Sequence, residues 1–127
     1  MNLALWIAAG LLAVVAVSGG ISKTFVAREK LAVLRGGGWT ADASAGFVRT
    51  LGVLELLAAV GLIVPAALGI APVLVAVTAV CWVLLMVGAV ITHGRRGEAA
   101  FVVLNLIYLA VAAFVAWGRF GPGAFTG

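Results

Sequence analysis

Four long apolar runs, separated by short polar stretches, dominate the chain. They cover about residues 2–22, 47–64, 71–92 and 99–117. A helix rises about 1.5 Å per residue and the hydrocarbon of a bilayer is roughly 30 Å thick, so a span needs about 20 apolar residues. Because every backbone polar group must be satisfied within the span, each run predicts a helix. A strand barrel would need alternating segments about half as long, and the sequence contains none.

The composition supports lipid as the surroundings of these helices. Of 127 residues, 65% are hydrophobic and only 9% are charged, whereas a soluble domain carries roughly 25% charged residues. The first run has no basic residue before it and is longer than the apolar part of a signal peptide, so we expect a retained helix. The predicted fold is therefore all-α: one transmembrane four-helix bundle over residues 1–127, with short loops and one longer basic loop.

The positive charges are concentrated on one side of the predicted bundle. Lys23, Arg28, Lys30 and Arg35 lie between the first two runs, and Arg49 lies at the beginning of the second. Arg95 and Arg96 follow the third run, and only Arg119 falls on the opposite side. Basic residues favour the cytoplasmic side of a membrane. The sequence therefore predicts a multi-pass protein with both termini on the non-cytoplasmic side.

The first connection is the longest polar part of the chain. Residues 26–35 place Ala27, Leu31 and Leu34 on one side and charges on the other, which predicts a short interfacial helix. Asp42 and Ser44 are candidate N-caps for the second membrane helix. The basic residues have no interleaved aromatic residues, so we expect anionic head groups or a soluble partner protein here, and no nucleic acid.

Glu55 is an isolated carboxylate in the second apolar run, roughly 8 Å below the predicted membrane boundary. A carboxylate in hydrocarbon is costly, so it must be neutral or paired with a cation or hydrogen-bond donors. Lys23, His93 and Asn105 fall at neighbouring depths, and Tyr108 follows Asn105 by one turn. The shared depth predicts that Glu55 faces a polar cavity near the basic side.

Each of these residues also has a purely structural interpretation. Lys23 can extend to the interface, His93 can be an interfacial residue, and Asn105 can link two helices by a hydrogen bond. Tyr108 can simply pack in the bundle, and Glu55 can form a structural ion pair with Lys23. The sequence alone leaves these alternatives open.

Several kinds of chemistry are absent from the sequence. Cys81 is the only cysteine, so an intrachain disulfide and a CxxC redox pair are excluded. The sequence lacks the hydrolase motif GxSxG and the zinc-protease motif HExxH. It also lacks the nucleotide-binding motifs, GxGxxG and the Walker motif. We expect no metal site, and a redox role would need a bound carrier.

The order and spacing of several motifs resemble the DoxX-like family of small membrane proteins over nearly the whole chain. These motifs are GGISK (19–23), GVLELLAAVGLIVP (52–65), MVGAVITHGRRGE (86–98) and AFVAWGRFG (113–121). The resemblance implies a four-helix protein of a bacterial plasma membrane, and some relatives are membrane subunits of thiosulfate:quinone oxidoreductase. It defines no catalytic residues.

Three functions are compatible with these observations. The first is a binding or partner subunit for a lipophilic molecule such as a quinone in a membrane redox system, with a soluble redox partner at the basic loop. The second is an enzyme in which Glu55 and His93 supply acid–base chemistry for an isomerisation, cyclisation or hydrolysis, with Lys23, Asn105 and Tyr108 binding the substrate. A transporter is the least favoured, because no helix is broken in mid-membrane. The sequence leaves homo-oligomer formation open.

Overall fold

The computed structural model describes residues 2–34 and 36–124 of the chain, and these residues form helices and no strand. The elements are α1 (Asn2–Phe25), α2 (Arg28–Ala32), a 3-10 turn (Gly38–Asp42), α3 (Ala45–Leu68), α4 (Leu74–Arg95) and α5 (Ala99–Phe120). Within this part of the chain, α1, α3, α4 and α5 are long and apolar enough to cross a membrane. The predicted fold class is confirmed.

The ends of the long helices differ from the predicted ranges by a few residues. Helix α3 continues past Pro65 to Leu68, because a proline in the last turn removes one backbone hydrogen bond without ending the helix. Gly69 ends it in the left-handed conformation at φ +69°, which a glycine adopts without steric cost. Helix α4 begins at Leu74 because Ala71 and Pro72 belong to the preceding turn.

The four long helices form a ring in which α1 contacts α3, α3 contacts α4, α4 contacts α5, and α5 contacts α1. Packing is most extensive between α1 and α3 and between α4 and α5, and it is looser between α3 and α4 and between α5 and α1. Leu12, Leu62 and Trp82 fill the centre of the bundle. Large apolar side chains such as Leu11, Leu57 and Leu84 are exposed on its outside. This outward-facing apolar surface fits contact with lipid.

Two glycines bring α1 and α3 into close contact. A Cβ atom on Gly20 would lie 2.7 Å from Cγ of Leu56. A Cβ atom on Gly52 would lie 2.7 Å from the backbone nitrogen of Thr24. Small residues at a membrane-helix interface allow this separation. Lys23 follows Gly20 by three residues and Glu55 follows Gly52 by three, so the contact brings these two side chains together.

The loop after α1 contains less helix than predicted. The predicted helix over residues 26–35 is reduced to the five residues of α2, and residue 35 lies outside the described residues. Leu31 is buried, whereas Ala27 and Leu34 are exposed, so the predicted apolar side is only partly packed. The 3-10 turn at Gly38–Asp42 was not predicted.

Ser44, but not Asp42, is the N-cap of α3. The Ser44 hydroxyl accepts a hydrogen bond from the Phe47 backbone N–H at 3.1 Å. The Asp42 carboxylate instead accepts a hydrogen bond from Arg96 Nη1 at 2.9 Å. This contact ties the first loop to the end of α4, at the end of the bundle where α1 and α4 finish. We call this end the basic end.

Candidate functional site

Lys23 and Glu55 form an ion pair between α1 and α3 at the basic end. Lys23 Nζ lies 2.9 Å from Oε2 and 3.1 Å from Oε1 of Glu55, so it donates to both carboxylate oxygens. The Glu55 side chain is 8% exposed and that of Lys23 is 22% exposed. The carboxylate therefore faces the bundle interior and has a cationic partner, as its cost in hydrocarbon requires.

His93 is a second buried polar residue at the same end. Its Nδ1 lies 2.9 Å from Oε1 of Glu98, across the turn that joins α4 to α5. The imidazole also stacks on Phe101, with ring centroids 5.4 Å apart and planes inclined by 24°. Arg96 Nε lies 3.6 Å from the same Glu98 oxygen. A carboxylate on one side and an aromatic ring on its face thus fix the orientation of the imidazole.

Asn105 and Tyr108 differ in their surroundings, although both lie on α5. The Asn105 side-chain amide donates to the Phe101 carbonyl within its own helix at 2.7 Å. Its amide oxygen and second N–H are left for other partners. Tyr108 packs against the apolar centre of the bundle. Three residues along a helix correspond to an offset of about 60°, so the two side chains share one face of α5, with Tyr108 about 4.5 Å further from the basic end.

A cavity of about 250 Å³ lies in the basic half of the bundle, between α3 and α4. It brings together four of the five site residues expected from the sequence: Lys23, Glu55, His93 and Asn105. Tyr108 is not among its lining residues. The rest of the wall is mostly apolar, and is formed by Trp39, Phe47, Leu51, Leu85, Met86, Gly88, Ala89 and Thr92.

Sequence reasoning missed several parts of this site. The sequence analysis did not connect Trp39 with the cavity, but the 3-10 turn places it on the cavity wall. Glu98 was not connected with His93, although a Gly-rich turn between them was a usable signal. Phe47 and Met86 resembled ordinary apolar residues of their helices, and no sequence signal distinguishes them.

The opposite end of the bundle contains a buried arginine, Arg119. The sequence analysis predicted only the side of the membrane on which it lies. Arg119 is 5% exposed. Its Nη1 donates to Oδ1 of Asn2 and to the carbonyl of Gly123, each at 2.8 Å. The guanidinium carbon also lies 5.8 Å from the centroid of the Trp6 ring. These contacts join the beginning of α1 to the segment after α5.

The fold and the apolar surface define a multi-pass helical membrane protein with a mostly apolar cavity, lined by a few polar side chains, near one end. The DoxX-like family matches residues 7–115, and the chain belongs to this family. No curated protein and no solved structure matches the chain.

Proposed function

We propose that the protein is a membrane binding subunit that holds the polar ring of a lipophilic molecule, such as a quinone, in the cavity at its basic end. The observation that carries this proposal is the composition of the cavity wall. Apolar and aromatic side chains form most of it, and Lys23, Glu55, His93 and Asn105 supply a few polar atoms. Apolar walls with few polar groups are typical of small-molecule sites.

The size of the cavity fits a ring rather than a whole lipid. Ligand sites commonly enclose about 300–1,000 Å³, and this cavity of about 250 Å³ is slightly smaller. A quinone ring has two carbonyl oxygens that accept hydrogen bonds. The Lys23 ammonium and the Asn105 amide are donors on the wall, and the isoprenoid tail would remain in the lipid.

The outer edge of the cavity supports entry from the bilayer. Phe47 and Gly88 line the cavity and are also exposed on the outside of the bundle. They lie on α3 and α4, which pack less extensively against each other than α1 does against α3 or α4 against α5. A molecule dissolved in the bilayer would reach Glu55 and His93 through this gap without crossing water.

The basic end would face the cytoplasm, following the distribution of positive charge. Arg28, Lys30 and Arg95 would then lie on the cytoplasmic surface, where a soluble redox partner with an acidic surface could bind. The bacterial plasma membrane is the proposed location, and the homo-oligomeric state is left to measurement.

Binding of a short-chain quinone to the purified protein tests the proposal. Quinones quench tryptophan fluorescence, and Trp39 on the cavity wall provides a local probe. We expect Asn105→Leu to weaken binding about tenfold, because a hydrogen bond contributes roughly 0.5–1.5 kcal/mol and an unsatisfied carbonyl costs more. Tyr108→Phe is the matched control on the same helix. Equal quinone affinity in Asn105→Leu, Tyr108→Phe and the parent protein would reject the site.

The His93–Glu98 pair supports a second candidate, an enzyme that acts on a lipophilic substrate. An imidazole held by a carboxylate is a common arrangement for a general acid or base. His93 borders the same cavity as Glu55, so one substrate could meet both. Mass spectrometry of molecules that co-purify with His93→Gln separates the candidates. A binding subunit would co-purify with the same quinone as the parent protein. An enzyme would instead co-purify with unconverted substrate.

A further inference from the structure

A second cavity, of about 220 Å³, shares Lys23 with the first cavity. It is formed where the end of α1, the start of α2 and the first turn of α3 meet. Its wall includes Lys23, Arg28 and Arg49 together with apolar side chains, among them Phe25 and Val48. No carboxylate of the described residues lines it.

The positive charge of this second cavity comes mainly from its two arginines. Lys23 is already paired with Glu55. Arg28 Nη1 donates to the neutral carbonyl of Ala43, which holds its guanidinium in place without removing the charge. In residues 2–34 and 36–124, no carboxylate lies within ion-pair distance of Arg28 or Arg49.

The apolar part of the wall indicates where a ligand would come from. Phe25 is 75% exposed at the end of the first membrane span, next to the cavity that the two arginines border. A ligand that fits this place has an anionic group at the level of the arginines and an apolar part along Phe25 and Val26. Guanidinium groups suit phosphate oxygens because they donate in a planar fork.

We propose that this second cavity binds the phosphate group of an anionic phospholipid, with Arg28 and Arg49 as the ligands of the phosphate. Free phosphate offers the same anionic chemistry but not the apolar part. The site would hold one lipid at the basic end and fix the position of the first loop relative to α3. It does not depend on the quinone proposal, because neither arginine lines the larger cavity.

Native mass spectrometry of the full chain in detergent tests the site with added phosphatidylglycerol or phosphatidylcholine. A cation near an anionic lipid contributes about 1 kcal/mol, which corresponds to roughly a fivefold change in affinity. We expect Arg49→Gln to lower phosphatidylglycerol affinity about fivefold, and Arg28→Gln with Arg49→Gln to lower it about 25-fold. Lys30→Gln is the control, since Lys30 is exposed and does not line the cavity.

Arg49→Gln is the decisive variant, because Arg28→Gln also removes the hydrogen bond to Ala43. The proposal is wrong if Arg49→Gln and Lys30→Gln reduce phosphatidylglycerol binding equally, or if the parent protein binds both lipids equally. A parallel titration with inorganic phosphate separates the two sources. Displacement of the lipid by inorganic phosphate at similar concentration would show a free-anion site and overturn the lipid assignment.

Discussion

Breaking the Lys23–Glu55 pair from either side should destabilise the bundle by different amounts. Lys23→Met removes the cation and leaves a carboxylate whose side chain is only 8% exposed. Glu55→Gln removes the negative charge and leaves an ammonium whose side chain is 22% exposed, in the last turn of α1. The ammonium can extend toward the head groups, whereas the carboxylate cannot leave the interior.

The structure sets the expected size of each effect. Removing one partner of a buried ion pair costs about 3–5 kcal/mol, because the other charge is left uncompensated. We expect this range for Lys23→Met. For Glu55→Gln we expect a smaller loss of about 1.5–3 kcal/mol, the contribution of a hydrogen bond to a charged group. In the double variant neither charge remains, so its loss should be less than the sum by about 1–3 kcal/mol.

Unfolding of the purified protein in mixed micelles, followed by circular dichroism, measures these free energies. Lys30→Met and Glu29→Gln serve as a control pair of exposed charges in α2, each expected to change stability by less than about 0.5 kcal/mol. Two results would refute the view that this pair stabilises the α1–α3 contact. One is a double variant whose loss of unfolding free energy equals the sum of the two single losses. The other is a Lys23→Met variant that loses no more unfolding free energy than Lys30→Met.

Three further predictions concern packing, surface charge and orientation. Gly52→Ala should cost about 1–3 kcal/mol of unfolding free energy by overpacking, because its Cβ would lie 2.7 Å from the Thr24 nitrogen; Gly10→Ala, with nothing within 4 Å of its Cβ, should not lose stability. Asp42→Asn should cost less than about 1 kcal/mol in the same assay, since the Asp42 side chain paired with Arg96 is 78% exposed. Finally, with Cys81 replaced, an impermeant thiol reagent on intact cells should label Ile70→Cys and not Glu29→Cys; the reverse pattern would invert the proposed orientation.

The depth of polar residues in the apolar runs was the most informative sequence signal for the site. Successive long helices run in opposite directions. Lys23 and His93 therefore lie where α1 and α4 end, and this is the end of the bundle at which α3 and α5, which contain Glu55 and Asn105, begin. The positions along the membrane normal therefore follow from helix length alone. The reach of a cavity does not follow from it: Tyr108 was grouped with Asn105, but it lies about 4.5 Å deeper and packs against the apolar centre.

Contacts made by loops and chain ends were beyond the sequence analysis. The position of Trp39 depends on the 3-10 turn that begins at Gly38, and hydrophobic periodicity does not describe such turns. Arg119 meets Asn2 because a ring with an even number of alternating helices returns the chain to its starting side. The pattern placed both residues on that side but could not show their hydrogen bond.

Closing the gap between α3 and α4 is the most direct test of the proposed ligand cavity. Gly88 lines the cavity, and a Cβ atom added there meets nothing within 4 Å, so we expect Gly88→Leu to extend into the edge of the cavity. Gly10→Leu adds the same side chain in equally open space on α1, away from the cavity. The measurement is the affinity for a short-chain quinone by tryptophan quenching. The proposal predicts at least a tenfold loss for Gly88→Leu and parent-like affinity for Gly10→Leu; unchanged affinity in a correctly folded Gly88→Leu would contradict it.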